Sequence, residues 1–227
     1  MQQILARNRR WIIATAFNYV LLITLAALNI QLAVKLAGYI TILYLALTLI
    51  PVRLRGWRSF GERSDRILLQ LQGQRRDFGI SAAWVVILHA LFAFYYYGGA
   101  SVGVIDLRFY LTPAIAPGFL AEGFLLLLLI TSHGYLKRRL GTSWKPLHRM
   151  IWIAVGLAVV HTFLAARSYT AENTGLAAVI ILLTIIMTAV LDFIIRSRRG
   201  KETDIQKTSL AFLSLGIISA IILAVIL

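Results

Sequence analysis

Seven stretches of this chain, each of roughly 16 to 22 residues, are apolar enough to cross a bilayer, because about 20 helical residues span the hydrocarbon core. They run approximately over 11–30, 36–51, 79–97, 118–135, 147–166, 175–195 and 208–227. The pattern predicts an all-α integral membrane protein, a bundle of six to seven transmembrane helices forming a single domain over 1–227, with 208–227 as an additional C-terminal helix. The second window is the shortest and is expected to end at Pro51, a residue suited to a helix terminus. The first follows Arg7, Arg9 and Arg10 as a signal peptide would. Its length and its lack of a small-residue cleavage site predict that it is kept as a helix.

The polar positions between the windows orient them. Twenty of the 23 Lys and Arg residues fall in 1–10, 52–78, 136–149 and 196–207, and only Lys35, Arg108 and Arg167 fall elsewhere. Cytoplasmic loops carry such an excess, so the N-terminus is expected on the cytoplasmic side. Segment 52–78 mixes Ile67, Leu68, Leu69 and Leu71 with charges. It reads either as a short interfacial helix or as a solvated linker drawn to anionic lipid headgroups. On the outer side 98–117 is the one sizeable loop, preceded by Tyr95, Tyr96 and Tyr97 at the depth where amphipathic rings settle.

Composition narrows the chemistry. The chain of 227 residues is 59% hydrophobic and 14% charged, against a charged fraction near a quarter in soluble domains. It has no cysteine, which excludes disulfides, iron–sulfur clusters, thiolate zinc sites and covalent haem attachment. The net charge of +14 does not point to nucleic acid, because the charges sit between apolar runs instead of covering a soluble face. No Gly-rich phosphate loop follows a strand, and no segment is large enough for a soluble catalytic domain. Chemistry is therefore expected inside the bundle or on partners.

Four histidines remain: His89, His133, His148 and His161. An ionisable side chain within a membrane helix is a functional candidate, since its desolvation has to be offset. Counted from Phe78 and Pro146, His89 lies about 11 residues into its span and His161 about 15, roughly 17 and 22 Å deep at 1.5 Å per residue. Both helices run in the same direction, so the two imidazoles are expected near one plane. Neutral imidazole is the usual axial ligand of b-type haem, and bundles hold cofactors between facing helices. The plain alternative is that each histidine only hydrogen-bonds a neighbouring helix. His148 lies near the cytoplasmic surface, about 140° around its helix from His161, and is expected to serve a second, inner haem or to orient a water or propionate there. Arg76 and Arg149, with Arg139 and Lys145, surround that inner zone as partners for haem propionates or as ordinary positive-inside anchors. His133 ends the fourth span, as a spare ligand or a plain interfacial residue.

The stretches RRDFGISAAWVVILH (75–89) and TSHGYLKRRLGTSWKPLHRMIWIAVGLAVVH (131–161) carry a resemblance. With LTLIPVR at the end of the second span, they resemble the ferric reductase-like transmembrane domain over about 36–196, and within it the MsrQ family of haem-binding membrane subunits. The resemblance implies haem b, one or two per chain, between the third and fifth spans, with His89, His148 and His161 on the metal-ligand positions. His133 departs from it, because that family resembles TSP where this chain reads TSH. Quinone or FMN are further cofactors it allows. It implies electron transfer across a bacterial cytoplasmic membrane, from a quinol or a cytosolic flavin reductase to an outer-side acceptor; in MsrQ the recipient is a periplasmic reductase that repairs methionine sulfoxide. A competing reading is a proton-coupled transporter that uses the histidines with Glu122 and Asp192, the latter two expected to snorkel or pair with nearby Arg. Another is a cofactor-free membrane anchor.

Overall fold

The computed structural model describes residues 2–56, 61–97, 107–169 and 174–198, together with Phe212, Ser214 and Ile218. These form α1 (Gln2–Leu28), α2 (Ile30–Gly56), α3 (Gly61–Gly73), α4 (Arg75–Tyr97), α5 (Ala116–Thr131), α6 (Gly134–Leu140), α7 (Trp144–Arg149), α8 (Ile151–Tyr169) and α9 (Thr174–Arg198), with 3-10 turns at Leu107–Leu111 and Gly141–Ser143. Ile30–Leu54, Arg75–Tyr97 and the helical run Gly134–Ala165 are long and apolar enough to cross a membrane. Thr15–Leu28, Ala116–Thr131 and Ile180–Ile195 are shorter apolar helices. The expected seventh span, 208–227, lies outside the described residues except for those three, of which Phe212 packs against the core.

Hydroxyl groups on these helices are satisfied locally, as they must be where no water reaches them. Thr41 Oγ1 donates to the Ala37 carbonyl at 2.9 Å, and Thr48 Oγ1 to that of Tyr44 at 2.7 Å. Thr131 Oγ1 bonds the Leu127 carbonyl at 2.8 Å. The outward faces present Phe17, Leu91, Ile130, Phe163 and Met187, a surface suited to lipid and costly in water.

The helix bounds differ from expectation at several points. α2 starts at Ile30, where the Asn29 side chain accepts the Leu32 amide at 3.0 Å and caps it. It then continues through Pro51 to Gly56. A proline costs a single ladder bond near a helix end, and membrane helices tolerate that loss. Within 52–78, α3 forms, with Ile67 and Leu69 exposed on it. The basic segment 136–149 is also helical, turning at Gly141, whose φ of 52° suits a residue without a side chain.

α4 packs most closely on α2 and α5 on α8; α4 also meets α5, and α9 closes against α2 and α8. Ile42, Leu45, Ala82, Ala83, Leu125, Val155, Leu182 and Ile185 form the shared core. On the side of α6 and α7 the frame is tied by polar contacts to main chain. Arg75 Nε donates to the Thr48 carbonyl at 2.8 Å, and Arg76 Nη2 to that of Ser132 at 2.9 Å. Asp192 on α9, 3% exposed, meets Arg53 on α2 at 3.3 Å, and that guanidinium lies 4.7 Å from the centre of the Trp152 ring.

Candidate functional site

The α2–α4 and α5–α8 pairs each bring one histidine to the middle of the bundle. His89 Nδ1 lies 2.9 Å from the Val34 carbonyl of α2, and His161 Nδ1 lies 2.7 Å from the Ala114 carbonyl in the turn before α5. A carbonyl can only accept, so each Nδ1 carries the proton and each Nε2 keeps its lone pair. A backbone hydrogen bond on the far nitrogen is also what orients imidazoles that ligate metals.

The two rings face one another with centroids 6.3 Å apart and planes crossed at 77°. An imidazole nitrogen stands about 2 Å from a metal it ligates, and roughly another ångström separates it from its ring centre, so two rings flanking one metal stand about 6 Å apart. The observed spacing fits that arrangement.

Two glycines make room for the rings. A Cβ on Gly118 of α5 would lie 2.6 Å from His161 Nδ1 and 2.7 Å from its Cγ, and one on Gly38 of α2 would lie 3.2 Å from His89 Cε1. A cavity of about 200 Å³ opens beside the rings, and its walls are mainly apolar. Neutral imidazoles among apolar walls are the donor chemistry and the surroundings that suit a haem iron. Glu122, expected to snorkel near a helix end, instead lines this cavity with Lys35 and Tyr110. Tyr110, in the 3-10 turn outside the spans, has its phenol pushed up by burial and then by the Glu122 charge, so it stays protonated as a donor.

The other candidates lie elsewhere. His148 of α7 stacks on Trp144, with ring centres 4.1 Å apart, and its Nε2 is 3.2 Å from Thr131 Oγ1. Trp144 Nε1 donates to the Thr131 carbonyl at 3.0 Å, and Lys137 Nζ lies 4.6 Å from the centre of the Trp144 ring. His133 is exposed at the N-cap of α6 and makes no side-chain cap. Arg76 precedes His89 by 13 residues on α4, about 20 Å along the axis. Arg149 ends α7, at the same end of the bundle as His148. Among the described residues, no group of three or more His, Cys, Asp or Glu converges.

Sequence reasoning reached the histidine pair by counting depth but missed Gly38, Gly118 and Lys35. Glycine in an apolar run usually marks helix packing alone, and a window starting at residue 36 left Lys35 in the preceding turn.

Residues 37–160 match the model of the ferric reductase like transmembrane component, which is more than half of the chain. The chain belongs to the ferric reductase-like transmembrane family. His89 and His148 fall within the matched stretch, and His161 follows it directly. Family membership and the apolar helices make the chain an integral membrane protein. The chain is also similar to the heme-binding subunit MsrQ of protein-methionine-sulfoxide reductase from Brucella ovis, with 26% identity over 145 residues, 64% of this chain. The match covers 62% of that relative's length. No solved structure matches.

Proposed function

We propose that this ferric reductase-like chain is a b-type haem-binding membrane subunit. It passes electrons from a quinol or cytosolic flavin donor to an acceptor or partner reductase on the outer side of a bacterial cytoplasmic membrane. The observation that carries the reading is the facing pair His89–His161, each clamped through Nδ1 by a backbone carbonyl and each keeping Nε2 for a metal. The named role of the Brucella relative supports it.

Bound there, haem supplies one-electron chemistry whose potential its axial ligands help to set. The protein's part is to hold both imidazoles in the ligating tautomer, keep water out with apolar walls, and leave the space that Gly38 and Gly118 provide. The Val34 and Ala114 carbonyls strengthen both ligands by drawing on their Nδ1 protons, which favours the oxidised metal. His148, with Arg76 and Arg149 at the same end of the bundle, is the candidate for a second, inner site.

The reduced-minus-oxidised absorption spectrum of the purified protein, with its haem-to-chain ratio, tests this. A low-spin b-type signal at one or two haems per chain is expected. His89→Ala and His161→Ala should each remove the same haem, and His148→Ala should leave that signal in place. A folded but colourless protein from haem-replete cells would overturn the reading.

A further inference from the structure

Among the described residues lining the histidine cavity two carry formal charge, Lys35 and Glu122, and they sit toward opposite ends of it. α2 and α5 both start at the end of the bundle where α4 finishes, so they run in the same direction. Lys35 precedes Gly38, the residue against His89, by three positions, about 4.5 Å toward the 3-10 turn of Leu107–Leu111. Glu122 follows Gly118, the residue against His161, by four positions, about 6 Å toward α6. Tyr97, eight positions beyond His89 on α4, and Phe109 line the Lys35 end of the same space.

Haem has one edge with two carboxylates and an opposite edge that is apolar. We propose that Lys35 binds the propionate edge of a haem held between His89 and His161, so that its carboxylates point toward the Leu107–Leu111 turn and its apolar edge lies toward Glu122. The inference rests on the haem reading of the histidine pair. An ammonium at the Lys35 end attracts the propionates, and among the described lining residues no cation stands at the Glu122 end to receive them, so the reverse orientation forgoes the contact.

Arg76 lies about 20 Å along α4 from His89, beyond the reach of a propionate on this haem. It donates instead to the Ser132 carbonyl. The short stretch Val34–Gly38 thus does three jobs for one ligand side. Val34 clamps His89, Gly38 clears space for its ring, and Lys35 holds the macrocycle's charged edge.

The test uses full-length protein loaded with haem or with haem dimethyl ester, whose propionates carry no charge. Transfer of the pigment to excess apomyoglobin is followed by absorbance. A charge-assisted contact predicts that the wild type releases the ester about tenfold faster than haem. Lys35→Met should release haem at nearly the ester's rate and discriminate little between the two, and Lys35→Arg should restore the difference. Equal release of haem and ester by the wild type would overturn the proposal, and that outcome needs no variant. Full discrimination by a Lys35→Met protein with an unchanged low-spin spectrum would overturn it too. A wild type that binds neither pigment would instead remove the haem reading beneath it.

Discussion

Gly118 matters because of what it lacks. In Gly118→Ala the new methyl group would stand under 3 Å from three atoms of the His161 ring, so the ring has to leave its place against the Ala114 carbonyl. The expected result is loss of the low-spin signal and of most bound haem, read from the oxidised absorption spectrum and the haem ratio. Gly38→Ala is milder: its methyl would contact His89 at 3.2 Å, a gap that a few tenths of an ångström relieve. That variant should keep its haem with a shifted midpoint potential. At this scale the two histidines were legible because depth follows from counting 1.5 Å per residue. Their clamps were not, since a carbonyl one helix away leaves no trace in residue type. Glu122 was read as an end residue because hydropathy gives depth but not which way a side chain turns.

Between elements, the clearest test is the Arg53–Asp192 pair joining α2 to α9. The side chains are 13% and 4% exposed, and removing one partner strands a buried charge at a cost of about 3–5 kcal/mol. Asp192→Ala should therefore lower the detergent melting temperature clearly. The double change Arg53→Met with Asp192→Leu should recover much of the loss, because an apolar pair of similar volume leaves no buried charge. The sequence left Asp192 to snorkel or to pair with a nearby Arg, and could not point to Arg53, which lies 139 positions away. Helix ends were the least legible feature. Pro51 was expected to stop α2 and does not, since its missing amide costs little so near the terminus. The apolar positions of α3 suit an interfacial helix and a linker equally, and Gly61–Gly73 is a helix.

For the whole molecule, the charge asymmetry makes a prediction about sidedness that single cysteines can read, because the chain has none of its own. In intact spheroplasts a membrane-impermeant maleimide should label Arg108→Cys from outside. Ser143→Cys should react only after the membrane is opened. The reverse pattern would invert the orientation drawn from the Lys and Arg residues. Class and membrane character were legible from hydropathy alone, since a long apolar run has few alternatives. The pairing of α2 with α4 and of α5 with α8 was not, because lipid-facing and helix-facing residues share one apolar alphabet. That pairing has a consequence for assembly. Each pair is a finished half-site, one histidine with a carbonyl clamp supplied from its own side, so neither half needs the other to prepare its ligand. On the haem reading, the group held between the imidazoles would act as a rivet between two prefabricated parts, its affinity drawn from the same equilibrium as the docking of the halves. Protein stripped of its pigment should melt earlier and less cooperatively than the loaded form, with the histidine half-sites parting before the helices within each pair come undone.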